Sequence, residues 1–300
     1  CAYILVAGCK ASLEQGVKIV VPAWGVDGYM QYPNGVRVCL LNRSVLFIRP
    51  IGYKMNPDKM WSAMAAITME AIGIPPDGDY ALNLAGGDPR PGDIESHLTN
   101  TIRVAIVDTC RRGVLNDMTS PIVTEMLVAA ASSPRCKVVI TQTDCRTFSA
   151  AHHQPDAQGN PGKPPRDLNN IMGFRDADGN IPESVRAANF MTKAAAEVCI
   201  ACCSHGGMAF AETPCSRAEG SEDAIPGCEL HAYMFAFPAW KEFREMTDAV
   251  EFVFDQCTAL DDPARAVVTG RKATAILVSG NAAPFAETIF RNKRCRHPKG

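Results

Sequence analysis

The spacing of apolar residues divides the chain into two rhythms. Residues 1–55 alternate short β-rich runs with glycine turns: YILVAG, VKIVVPAW, GYMQY and, after Pro33-Asn34-Gly35, VRVCLLNRSVLFIRP. Pro-Asn-Gly between two such runs is a hairpin signal, because Asn and Gly tolerate the positive φ of a tight turn. Residues 57–73 carry a helical period, with Asn56 placed to cap and Pro57 preset for the first turn. The stretch IPPDGD, residues 74–79, breaks both periods. It marks the expected boundary between a small β-rich module with a closing helix at 1–75 and a larger domain at 76–300.

Beyond that boundary, apolar runs of strand length alternate with longer helical patterns. YALNLAG, RVAIVD, KVVITQ, MAFAE, VEFVFDQC and ATAILVS read as strands. DIESHLTN reads as a short helix, and SPIVTEMLVAAASS as a helix with Ser120 as cap and Pro121 at its first position. SVRAANFMTKAAAEVCIACCSHGG reads as a long helix closed by Gly206-Gly207. Such alternation implies βαβ crossovers and a mostly parallel sheet. The fold expected is α/β and Rossmann-like, behind the N-terminal β-rich module. Residues 154–183, rich in Pro, Gly, Asp and Asn, read as a long mobile loop.

Composition narrows the class. The chain has 300 residues, 47% hydrophobic and 21% charged, enough to bury a sizeable core. A net charge of −2 advertises no global attraction to nucleic acid. The most basic stretch, RNKRCRHPKG, lies at residues 291–300. Thirteen cysteines, an odd number without a framework, point to reduced thiols and an intracellular setting, nucleus or cytoplasm. No apolar run approaches the roughly 20 residues of a membrane span, so no membrane partner is expected. The chain starts at Cys1, and a piece of a longer polyprotein is expected. Cys199, Cys202, Cys203 and His205 could suggest zinc. Their place on an Ala-rich helix suits small core residues better. His152-His153 read as solvated loop residues.

The candidate chemistry sits at strand ends, where open α/β sheets place their ligands. Leu84-Ala85-Gly86-Gly87-Asp88 follows the first strand, and Asp108 ends the second. Asn116-Asp117-Met118 precedes the next helix, and Asp144-Cys145 follows the third strand. Glycines let a backbone approach a ligand, and an acid ending the next strand can accept both ribose hydroxyls. GGDPRPGD lacks the G-x-G-x-x-G spacing, and its aspartates would repel a pyrophosphate. A ligand with ribose, adenine and a positive centre suits it better than NAD, and S-adenosylmethionine is one.

In that order the motifs resemble those of the cytosine-5 DNA methyltransferases. LAGGDPRPG is similar to their F-x-G-x-G loop, TDCRTFS to P-P-C-Q-x-F-S, AETP (211–214) to E-N-V, and GRKAT (270–274) lies where they carry Q-x-R-x-R. DCRTFS, AETP, FDQC (254–257), KAT (272–274) and CRH (295–297) resemble more closely the divergent methyltransferase-like domains of algal viruses and mobile elements. The resemblance covers about residues 79–280. It implies a methyltransferase fold that binds S-adenosylmethionine through Leu84, Gly86, Gly87, Asp88, Asp108, Asp117 and Met118. It implies DNA as partner. Cys145 would attack C6 of a flipped-out cytosine, Glu212 would hold the ring edge, and Arg271 or Lys272 would orient the base.

The sequence also departs from that pattern. Asp144 stands in place of proline, and a carboxylate beside a thiol raises the thiol pKa, an effect Arg146 can offset. No target-recognition segment of family length separates KAT from SGNAAP. Two rivals therefore stand beside the enzyme. One is a non-catalytic methyltransferase-like domain binding cofactor or nucleic acid within a mobile-element polyprotein. The other is a Rossmann-fold enzyme acting on a small molecule. The N-terminal NRSVLF run faintly resembles the β region behind the integrase of copia-type retroelements.

Overall fold

A computed structural model describes residues 18–20, 28–31, 37–41, 44–45, 73–74, 77–87, 97–98, 101–112, 116–255, 273–291 and 293–294. The helical pattern at 57–73 lies outside the described residues, as does most of DIESHLTN. Strands β1 (Lys18–Val20), β2 (Gly28–Gln31), β3 (Arg37–Leu41) and β4 (Ser44–Val45) form an antiparallel sheet in sequence order. β2 and β3 pair Gln31 with Arg37, and the Pro33-Asn34-Gly35 segment between them lies outside the described residues.

The second sheet holds six strands: β5 (Tyr80–Leu84), β6 (Arg103–Val107), β7 (Cys136–Thr141), β8 (Met208–Pro214), β9 (Val250–Asp255) and β10 (Ala273–Val278). Their spatial order is β6-β5-β7-β8-β10-β9. The first four are parallel, whereas β10 runs antiparallel to both its neighbours. The architecture is thus mixed α/β with a mostly parallel sheet, compatible with a Rossmann-like arrangement. Central β5 is buried at all five positions, as a strand covered on both faces must be. Edge strands β6 and β9 keep exposed residues at their starts.

Helices α1 (Pro121–Ala131), α2 (Glu183–Ser204) and α3 (Pro238–Thr247) pack into the main core, while α4 (Ala283–Phe290) joins a smaller cluster with Phe210, Phe252 and Ile276. Helix α2 buries Val185, Ala188, Thr192, Ala195, Cys199 and Cys202, a stripe repeating every three or four residues. Small side chains there let the helix lie close to β7 and β8. Its end is a Schellman closure: Gly207 N–H donates to the Cys202 carbonyl and Gly206 N–H to that of Cys203, with Gly206 at φ +84°. Among the described residues, no helix is long and apolar enough to cross a membrane.

The loop between β7 and α2 has fixed structure, contrary to its mobile appearance in the sequence. Asp156 and Asp176 each accept backbone N–H groups of an Asn four residues on, closing two turns, and Arg166 is buried beneath the loop. A second loop, between β8 and α3, is tied to it where Leu168 N–H donates to the Leu230 carbonyl at 3.0 Å.

Candidate functional site

The register of the sheet fixes which strand ends adjoin. Val107 pairs with Leu84, Leu84 with Thr141, and Thr141 with Ala211, a row across four parallel strands. One residue further lie Asp108, Ala85, Gln142 and Glu212, all on the carboxyl rim. At roughly 4.8 Å per strand, this second row spans about 14 Å. The chain leaves β5 for β6 on one side and returns to β7 on the other. The point between β5 and β7 is therefore where strand order reverses, the usual ligand crevice of open α/β sheets.

The backbone turns sharply there. Ala85 takes φ +56° and Gly87 φ +70°. A left-handed alanine is uncommon and carries a modest strain cost, of the kind that gathers at binding turns. The turn is held by Asp108, whose Oδ2 accepts from Gly87 N–H at 3.0 Å while its Oδ1 accepts from Cys110 N–H at 2.9 Å. A carboxylate has about four acceptor positions, and a ribose diol is the kind of donor such a group accepts. Asp117 uses Oδ1 to accept from Thr119 N–H and Oγ1–H, at 2.9 and 2.6 Å, ahead of α1. Asn83 and Asn116 are buried beside Ile106, and the Oδ1 of each has no hydrogen-bond partner. Thr141 Oγ1, in the row of strand ends, is likewise unpartnered. A buried polar atom left so costs about 1–3 kcal/mol. The carboxylates of Asp108 and Asp117 are acceptors of the kind that the hydroxyl and amino groups of an adenosyl ligand require. The side chains of Leu84 and Met118, expected at the cofactor, are instead buried in the main core at 0% and 3% exposure. They can offer a ligand only backbone contact.

Cys145 opens a single 3-10 turn, Arg146–Phe148, four residues beyond the end of β7. Its carbonyl accepts from Phe148 N–H at 2.9 Å, and the half-buried thiol-bearing residue packs against the main core. Asp144 is gripped by Arg146, with Nε and Nη2 donating at 2.8 and 2.6 Å. Burial raises the Asp144 carboxyl, but the hydrogen bonds and charge of Arg146 outweigh it and hold the pKa below its ordinary value. The negative charge beside Cys145 is thus largely answered, as the sequence allowed. Glu212 lies on β8 opposite Ile276 of β10, half-buried. Alternation puts it on the face of Met208 and Phe210, while Ala209 and Ala211 join the core that Cys145 touches. The register brings the two strand ends side by side, but Glu212 approaches the rim from the α4 face. Asp88, Arg271 and Lys272, and also Cys295 and His297, lie outside the described residues.

Sequence reading passed over His231. Its Nδ1 accepts from Arg217 N–H at 3.1 Å, which leaves Nε2–H to donate to the Phe148 carbonyl at 2.8 Å. The neutral ring thereby latches the second loop to the Cys145 turn. No motif marks it; only its lone position in an apolar run, Leu230-His231-Ala232, could have done so. Burial, aided by His153 and Arg217 and opposed by the Phe148 bond, pushes the pKa of His231 down to about 4. Between about pH 6.5 and pH 4 the unfolded chain takes up a proton that the folded one refuses. Stability should therefore fall as pH falls across that window, by about 3 kcal/mol at 1.36 kcal/mol per unit. Urea unfolding at pH 7, 5.5 and 4 reads the slope, and H231Q should flatten it. An unchanged slope in H231Q would assign it elsewhere.

Cys199 and Cys202 lie buried on α2, with Cys202 Sγ 3.9 Å from Cys136 Sγ. Among the described residues, no group of three or more His, Cys, Asp or Glu is placed to hold a metal ion. His152 is exposed, whereas the ring of His153 packs edge-on against His231 at 5.7 Å. Comparison with protein-family models, with curated proteins and with solved structures finds no match to this chain.

Proposed function

We propose that the six-stranded domain binds S-adenosylmethionine at the β5–β7 crevice and transfers its methyl group to cytosine in DNA, with Cys145 as nucleophile. The observation that carries this reading is the rim row. It brings the ends of four parallel strands together, with the Gly86-Gly87 turn after β5, Asp108 after β6, the Cys145 turn four residues beyond β7 and Glu212 on the α4 face of β8, in the chain order that the methyltransferase resemblance implies. Asp108 would accept the ribose hydroxyls and Asp117 an amino group of the adenine. S-adenosylmethionine, when bound, supplies an electrophilic methyl group. Cys145 as thiolate would add to C6 of the base, which makes C5 nucleophilic. Glu212 would accept from the exocyclic amine and hold the ring. Arg271 or Lys272 would orient the base.

A second reading has its own support. On the two loops beside the Cys145 turn, Asp156, Asp176, Asp178, Glu219 and Glu229 stand exposed against Lys163 and Arg175. A surface with more acids than bases resists a phosphate backbone. This favours a non-catalytic, cofactor-binding domain, within a polyprotein or alone. Calorimetric titration separates the ligands. S-adenosylmethionine should bind, and Asp108→Ala should weaken it by about 1–3 kcal/mol, roughly 5- to 150-fold, by stranding the ribose hydroxyls. Tight binding of NAD with no response to S-adenosylmethionine would overturn the cofactor assignment and point to the small-molecule enzyme.

A further inference from the structure

Arg166 is buried, at 1% exposure. Its guanidinium carbon lies 3.9 Å from the centroid of the Phe148 ring. Nη1 donates to the Ile171 carbonyl at 2.9 Å and to Asn189 Oδ1 at 2.8 Å, and Nη2 to the Val185 carbonyl at 3.3 Å. Asn189 in turn donates to the Met172 carbonyl at 2.8 Å. Its ion-pair partner is not a carboxylate of any described residue, and burial holds its pKa down to about 10. An enclosed cation compensated only by carbonyls, an amide and a ring face is costly, and an apolar residue would fill the same space at less expense. What a guanidinium adds is a rigid fork of donors whose flat face stacks on an aromatic ring.

That fork joins three segments: the loop at 165–174, the first turns of α2, and Phe148. The ring of Phe148 meets Phe237 edge-on, its carbonyl accepts from His231, and its N–H closes the turn on the Cys145 carbonyl. One turn of chain separates the stacked ring from the thiol. We propose that Arg166 is a positioning residue for Cys145, which clamps the Phe148 ring and so holds the thiol-bearing turn in one conformation. The proposal rests on the reading of Cys145 as the nucleophile, but it can fail separately.

The test is alkylation of Cys145 by iodoacetamide, followed by mass spectrometry of its peptide so that the other thiols do not interfere. Urea unfolding establishes that each variant is folded under the labelling conditions. Arg166→Met keeps the stem and loses the fork. It should label about tenfold faster than wild type, because the turn opens locally without global unfolding. Arg166→Lys, which keeps the cation over the ring, should fall between the two. Phe148→Leu removes the ring face and keeps apolar volume, and it should reproduce the effect. It serves alone if Arg166→Met does not fold. A folded Arg166→Met within twofold of wild type, or in its absence a Phe148→Leu within twofold, overturns the proposal. If labelling responds as expected but wild type never attaches to DNA containing 5-fluorocytosine, the clamp stands and the catalytic reading falls.

Discussion

Under the proposed mechanism, the wild-type protein is expected to form a covalent adduct with DNA containing 5-fluorocytosine and Cys145→Ser to abolish it, with S-adenosylmethionine binding alike in both. Fluorine at C5 cannot leave as a proton would, so a thiol that has attacked C6 stays attached. A serine hydroxyl near neutral pH is a far weaker nucleophile, and removal of a covalent nucleophile costs roughly 10³-fold or more in rate. Binding should survive because the Asp108 and Gly87 turn belongs to β5 and β6, whereas Cys145 follows β7. Equal methyl transfer by both proteins would exclude the thiol mechanism. No transfer by either, with cofactor bound normally, would favour the non-catalytic reading.

The largest expected loss of stability lies at Trp240. Its side chain is fully buried on α3 and meets Phe235 and Phe243 edge-on, both at 5.6 Å between ring centroids. Trp240→Ala should cost between about 3 and 5 kcal/mol, from lost burial and the cavity left behind. The indole Nε1 is buried without a partner, so Trp240→Phe removes a polar group that is already unsatisfied. That variant should cost no more than about 1.5 kcal/mol, since the lost volume is partly offset by the removed N–H. Chemical denaturation of both variants reads the difference. Equal losses would mean that the indole nitrogen has a partner in solution.

Strands β5 to β8 were legible because each holds an apolar run of strand length bounded by turn residues. Ser120, Pro121 and Gly206 marked helix ends for equally local reasons. The reversal of β10 was not legible: direction depends on the connection and the partners, and ATAILV reads alike both ways. Helix α3, ten residues from PAWKEFREMT, was too short and too charged to stand out. At the site, the meeting of Asp108 with the Gly87 turn followed from strand-end logic. The burial of the Leu84 and Met118 side chains did not, because sequence order cannot tell a backbone contact from a side chain turned into the core. Arg166 and His231 escaped for a common reason. Both residue types usually face solvent, and only tertiary contacts reveal that these two are enclosed.

The His231 latch also has a consequence for the order of events during synthesis. Phe148 and the imidazole that holds its carbonyl are 83 residues apart in the chain. At about 5–20 residues per second, the Cys145 turn leaves the ribosome roughly 4–17 s before its latch exists. Helix α2 and strand β8 are made in that interval, so the four parallel strands can pair before the rim is closed. The nascent protein therefore passes through a stage in which four parallel strands exist, α3 and strands β9 and β10 do not, and its candidate nucleophile is still unfastened.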